Sequence, residues 1–512
     1  MSSRPENNSN GVDLSAGNRA TTGIKGLDYI LGGGFPRNRI YLIEGHPGSG
    51  KTTLGLQFLL EGRQRGETGL CISLSENREE LQLVADSHGW SLDGIELYEL
   101  EKLEDQFKPE TQYTVFHPGE VELSYTTSQI RRRIEDIRPS RVVFDSLSEL
   151  RLLAEDPLRF RREMLGVKQF LADRQCTALL LDDVGYQTEP QIRSIVHGVL
   201  LLERVPAEYG SSRRRASVIK MRGVKFRDGF HDFSIVTGGL EIYPRLAHER
   251  ASRPLKNGRF SSGIAELDKL LEGGLDRSTS TVMIGPSGCG KSSLATLYAY
   301  RAVEAGERAA CYLFEESRDT FLERAAGFGM NLEPYLASGH LVVQQVDPAE
   351  MSPGEFSQTV RDAVARHDTS MVVIDSLNGY LNAMPSERYL LMHMHELLTY
   401  LATQGVMTIL IVAQFGLLGQ SMQAPVDITY LADTVIVLRY FEAGGQVKQA
   451  LSVIKKRRGG HERTIREMRF TSTGIKIGHP LFQFQGILTG VPVFTGSDRQ
   501  MLSEDRDGTR GE

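Results

Sequence analysis

The sequence predicts an α/β protein of two tandem domains, each a mostly parallel sheet flanked by helices and ending in a β-hairpin. Three observations carry that expectation. The chain of 512 residues repeats itself: Thr22-Gly23-Ile24-Lys25-Gly26-Leu27-Asp28 returns as Ser262-Gly263-Ile264-Ala265-Glu266-Leu267-Asp268, 240 positions later. A repeat of this kind outranks other sequence signals. Two glycine-rich octapeptides, Gly45-His46-Pro47-Gly48-Ser49-Gly50-Lys51-Thr52 and Gly285-Pro286-Ser287-Gly288-Cys289-Gly290-Lys291-Ser292, stand at the same separation. Finally, short β-branched runs alternate with longer helical patterns in each half, as parallel strands joined by crossover helices require.

Taken in order, residues 1–17 are polar and expected to be disordered. A first domain follows at 18–245, a proline-flanked polar linker at 246–259, a second domain at 260–488, and a tail at 489–512 whose charged, glycine-containing end reads as disordered. Strands are expected at 40–44, 69–74, 141–145 and 177–181, and again at 281–284, 309–314, 371–375 and 407–412. Hairpin segments close the copies at 217–222 and 451–457, the second turning at Gly444-Gly445. The motif Val142-Val143-Phe144-Asp145-Ser146-Leu147 matches Val372-Val373-Ile374-Asp375-Ser376-Leu377 at a separation of 230. The drift from 240 marks a loop deletion inside an old duplication of a whole domain.

Composition narrows the class. Hydrophobic residues make up 40% and charged residues 24%, enough for large cores. The net charge of −6 argues against a protein that coats nucleic acid. Cys71, Cys176, Cys289 and Cys311 show no C-x-x-C pairing, so neither a disulfide framework nor a zinc site follows. Without a signal-like apolar core or a spanning run, a reduced, cytoplasmic, soluble protein is expected, with no membrane partner.

Both octapeptides fit G-x-x-x-x-G-K-[ST], and each lies between an apolar run and a helical pattern, the context a phosphate-binding loop needs. Gly45, Gly48, Gly50, Gly285, Gly288 and Gly290 let the backbone curl until its N–H groups cradle phosphates, with Ser49 and Cys289 in the same loops. Lys51 and Lys291 would reach the phosphates; Thr52 and Ser292 would hold Mg²⁺, with Thr53 and Ser293 next along the helix. Asp145 and Asp375 end their strands at the edge where ligands bind, as Mg²⁺ carboxylates or, alternatively, as helix N-caps. Beyond the next strand stand Glu315-Glu316 in the second copy and Ser75-Glu76 in the first. A carboxylate there can accept a proton from water or a hydroxyl; the alternative is acidity that suits a helix N-terminus. Lys220-Met221-Arg222 and Lys455-Lys456-Arg457 are either solvated faces or cations offered to a neighbouring subunit. Arg213-Arg214-Arg215 resembles a DNA patch but is expected at a hairpin turn.

On these residues the chain resembles the KaiC family, the ATPases and autokinases of the bacterial circadian clock, over residues 22–468. The most specific stretches are Phe314-Glu315-Glu316-Ser317-Arg318, Ile374-Asp375-Ser376-Leu377 and His461-Glu462-Arg463-Thr464-Ile465-Arg466-Glu467. The resemblance implies RecA-like P-loop domains, a double-ringed homohexamer with ATP at subunit interfaces, slow hydrolysis in the first ring and autophosphorylation in the second. It implies Glu315 as general base with Glu316 beside it, and Lys220, Arg222, Lys455, Arg457 and His461 as residues reaching ATP across an interface. Three departures qualify it. Ser75 stands where the first-ring base belongs, leaving Glu76. The acceptor pair falls on Thr429-Tyr430, making Thr429 the candidate phospho-acceptor, with a plain extended segment as the alternative. The tail from Phe482 to Pro492 is similar to those of KaiC-like proteins outside the clock lineage. A signalling ATPase with a protein partner is therefore expected rather than a timekeeper. The competing classes are a RecA-like DNA motor, which would want basic ring-facing loops where 415–425 is uncharged, and a nucleotide-gated scaffold.

Overall fold

The computed structural model describes residues 18–99, 118–154, 156–184, 190–206, 210–246, 258–381, 387–414, 430–488 and 493–494. The expected disorder at 1–17, most of the linker and tail, the loop 415–425 and Thr429 lie outside the described residues. The chain divides into two compact units, 1–207 with 211–245 and 246–512 with 208–210.

In the first unit, hydrophobic runs flanked by turn residues become strands buried on both faces. Ile40–Gly45 and Arg141–Asp145 are buried at every position, which a sheet covered by helices on both sides demands. Alternate residues feed two cores: Tyr41, Ile43 and Val143 on one face, Leu42, Val142 and Phe144 on the other. The sheet has nine strands. From one edge they run Ile95–Glu99, Gly69–Ser73, Arg141–Asp145, Thr177–Asp183, Ile40–Gly45 and Gly198–Val205, all parallel. Arg213–Met221, Phe230–Val236 and Gly239–Tyr243 then extend it antiparallel.

The second unit repeats this topology strand for strand. Leu341–Gln345, Ala309–Leu313, Met371–Asp375, Met407–Ala413, Ser280–Gly285 and Thr434–Ala443 are parallel. Gln446–Lys456, Ile465–Thr471 and Gly474–Pro480 are antiparallel. The expected α/β fold is the observed one, and each of the eight expected strands ends within two residues of the run that predicts it. The turn at Gly444-Gly445 places both residues at positive φ, 60° and 74°, the conformation that two-residue hairpins take and glycine accepts without penalty.

One expectation is corrected. Arg213-Arg214-Arg215 is not at a turn but opens the strand Arg213–Met221, opposite Val205, Arg204 and Glu203. Ladder pairing and the Arg215–Glu203 ion pair at 3.2 Å account for it. Among the described residues, no helix is long and apolar enough to cross a membrane.

Candidate functional site

Each phosphate loop joins a central strand to a helix that starts at its lysine, Lys51–Gln64 and Lys291–Glu304. Gly50 and Gly290, at φ 94° and 98°, turn the chain into those helices. A Cβ at Gly290, itself at positive φ, would lie 2.0 Å from the ring of Phe470, and one at Gly45 2.6 Å from the backbone carbonyl of Leu202. Both positions therefore admit only glycine. The helix N-termini aim backbone N–H groups and their partial positive charge into the loops, which suits a phosphate.

In the first unit, Lys51 Nζ donates to the carbonyls of Gly45 (2.9 Å) and His46 (3.2 Å) and to Asp183 Oδ1 (2.8 Å). The Thr52 hydroxyl donates to Asp145 Oδ2 at 2.6 Å. Burial raises Asp145 above the usual carboxylate range, opposed by the Thr52 bond and Lys51. Glu76 is raised by its burial and by the charge of Asp145. Its Oε2 is buried without a hydrogen-bond partner, as is Ser49 Oγ.

In the second unit a cavity of about 380 Å³ gathers Gly288, Gly290, Lys291, Ser292, Ser293, Glu315, Glu316 and Asp375. Lys291 Nζ donates to the Pro286 carbonyl at 2.6 Å and lies 3.8 Å from Cys289 Sγ. Burial pushes Asp375 up to about 6; the Ser292 hydroxyl opposes this and the Glu316 carboxylate adds to it. Ser376 Oγ donates to Glu315 Oε1. Arg324 pairs with Glu316 at 2.5 Å and reaches Ser293 Oγ at 3.3 Å. Arg324 and Phe470 escaped the sequence reading, since no motif marks them; Ser376 enters it only as part of the Asp-Ser strand end, with no role toward Glu315.

The donor set suits a Mg²⁺ nucleotide. In each copy a hydroxyl and a buried carboxylate stand together beside a phosphate loop, and buried anions with raised pKa values call for a cation. Mg²⁺ at such sites takes one or two protein ligands and completes its shell with phosphate oxygens and water. Among the described residues, no group of three or more His, Cys, Asp or Glu that could hold a metal ion exists. Thr53 and Ser293 are both buried on the first helical turn.

The basic residues of the terminal hairpins are not brought to these loops. Lys220 Nζ donates to the Val196 carbonyl (2.9 Å) and Arg222 Nη2 to the Ser194 carbonyl (2.8 Å). Lys455 Nζ donates to Ala432 O (2.8 Å), and Arg457 to Tyr430 O (3.2 Å) and Asp433 Oδ1 (3.3 Å). His461 Nε2 is buried without a partner.

The comparisons agree with this geometry. A family model described as ATPase: KaiC matches residues 20–247 and again 260–481. The chain is 27% identical over 490 residues to the circadian clock protein KaiC3 of Synechocystis sp., covering 94% of this chain and 96% of that protein. It is 27% identical over 520 residues to the circadian clock oscillator protein KaiC of Acaryochloris marina, with 100% and 96% covered. For the protein of that name from Parathermosynechococcus lividus the figures are 28% over 488 residues, 94% and 89%. Two phosphate loops on two matched copies of one α/β unit make this chain a member of the KaiC family of ATPases.

Proposed function

We propose that this protein is a ring-forming signalling ATPase that binds MgATP at both phosphate loops, hydrolyses it in the first domain and phosphorylates itself in the second. One observation carries the shared-site part of this reading. The backbone N–H of Arg222 bonds His197 O, and that of His197 bonds Ile40 O; Arg457 connects through Asp433 to Ser280 in the same way. Both arginines are thus level with the start of the phosphate-loop strand, while the loop leaves its far end. Five residues of strand separate the two, roughly 17 Å at the usual rise. An arginine there serves no phosphate of its own unit and is available only to a neighbour's, where it would offset the charge of the phosphoryl group in flight.

In the second domain, Glu315, oriented by Ser376, would take the proton of the Thr429 hydroxyl of an adjacent subunit. The Thr429 oxygen would bond to the γ-phosphorus as the bond to the β,γ-bridging oxygen breaks and ADP leaves. Bound Mg²⁺, held by Ser292 and Asp375, would neutralise charge on the phosphoryl oxygens. The carbonyl of Tyr430, the residue that follows the proposed acceptor in sequence, is a partner of Arg457. A signalling protein that reads nucleotide or phosphorylation state is the natural partner.

The test is light scattering of the full chain with and without MgATP, followed by phosphopeptide mapping. A species of about six chains that needs ATP, weakened by Arg222→Ala or Arg457→Ala, and phosphate on Thr429 are expected. A monomer at saturating ATP contradicts the ring. Unmodified Thr429 and Tyr430 with measurable turnover contradict the kinase.

A further inference from the structure

The two copies differ at matched positions in a way that relocates one carboxylate. Two residues past the strand end, the second copy has Glu315 and the first has Ser75. On the strand beside the phosphate loop the imbalance reverses. Asp183 is the register partner of Gly45, and Ala413 is the register partner of Gly285. Ala413 lines the same cavity as Glu315, Glu316 and Asp375, so the matched position in the first copy faces the space where the γ-phosphate end of a nucleotide belongs.

Asp183 is held in that space by partners on two elements. Lys51 Nζ lies 2.8 Å from its Oδ1, with the lysine side chain 9% and the aspartate 43% exposed. From the helix Leu147–Ala154, Ser148 Oγ lies 3.4 Å from Oδ2. The adjacent Asp182 is occupied by Arg151, which leaves Asp183 as the carboxylate turned toward the loop lysine. In the second copy, Asn378 replaces Ser148 and bonds the backbone of Ala413 instead.

We propose that Asp183 is a further catalytic residue of the first domain, accepting the proton of the attacking water where Ser75 has no carboxylate to do so. This rests on the reading that the first domain hydrolyses ATP. When Lys51 turns to the phosphates, Asp183 is left facing their outer end, still bonded by Ser148. The water oxygen bonds to the γ-phosphorus, the bond from that phosphorus to the bridging oxygen breaks, and ADP leaves with its electron pair. The water proton passes to Asp183 and then to solvent. The same contact makes Asp183 an internal anion that competes with the triphosphate for Lys51.

The experiment uses the full chain with Lys291→Ala silencing the second loop. ATP turnover and affinity for a fluorescent ATP analogue are measured for this parent, Asp183→Asn, Glu76→Gln and the double variant Asp183→Asn with Ser75→Glu. Asp183→Asn is expected to lower kcat about 100-fold or more, the usual worth of a general base, with analogue affinity unchanged or tighter. Ser75→Glu is expected to restore part of the rate by returning the carboxylate to its position in the other copy. A purely structural role for Asp183 would instead weaken affinity along with rate, and that result overturns the proposal. So does an Asp183→Asn rate equal to the parent's, above all if Glu76→Gln abolishes turnover. A parent that binds the analogue without hydrolysing ATP would refute the underlying reading itself, and is distinguishable because no variant need be compared.

Discussion

At the scale of single residues, chemistry at the two loops is set by which carboxylates are buried and what holds them. Glu315 is oriented by Ser376, and Glu316 is tied to Arg324, whereas Ser75 has no carboxylate to act as a base. With Lys51→Ala isolating the second domain, Glu315→Gln should lower turnover or phosphorylation by about 10²–10⁴. With Lys291→Ala isolating the first, Ser75→Ala should change little. Equal losses would contradict the asymmetry. A second residue-scale prediction concerns stability. Arg141 has no exposed side-chain surface; it pairs with Glu67, donates to Phe58 O at 2.8 Å and stacks 4.5 Å from the Phe58 ring. Glu67→Gln strips the countercharge and should cost about 3–5 kcal/mol. Arg141→Met should cost much less, because the second copy carries Met371 at the matched position, fully buried. Urea melts that follow the first unit check both. The phosphate-loop residues and both aspartates were legible because their chemistry fixes their spacing. Arg324 and Asp183 were not, since ion pairs between distant segments leave no local pattern.

At the scale of elements, the strand that feeds the first phosphate loop is anchored by a titratable neighbour. Nδ1 of His197 accepts from the Ile40 N–H at 3.2 Å, so the ring is neutral on that side. Burial, then the charges of Lys168, Arg39 and Arg222, lower its pKa from 6.5 to about 4. A histidine depressed on folding contributes stability that is complete above about pH 6.5 and lost as pH falls toward about 4, where the unfolded chain binds the extra proton. The melting temperature of the first unit should fall by several degrees across that window, and His197→Gln should flatten the slope. An unchanged slope would show that other groups govern the acid response. The strands themselves were readable from apolar runs, and Gly444-Gly445 from turn chemistry. Arg213 to Arg215 were misplaced because a run of arginines looks like a loop until a partner strand supplies Glu203.

At the scale of the whole molecule, duplication gives two copies of one sheet with the same strand order and different residues at matched positions beside the phosphate loops. Repetition made the architecture legible: the phosphate loops, the Asp-Ser strand ends and the terminal hairpins recur in the same order in both halves. What repetition hides is divergence inside the site, where a Ser stands for a Glu and an Asp for an Ala without altering the fold. The central claim is that both copies are working nucleotide sites. Native mass spectrometry of the full chain with MgATP tests it most directly, by counting nucleotides per chain in the parent, Lys51→Ala, Lys291→Ala and the double variant. Two, one, one and none are predicted; a parent holding a single nucleotide, or a lysine variant that still holds two, would contradict the account.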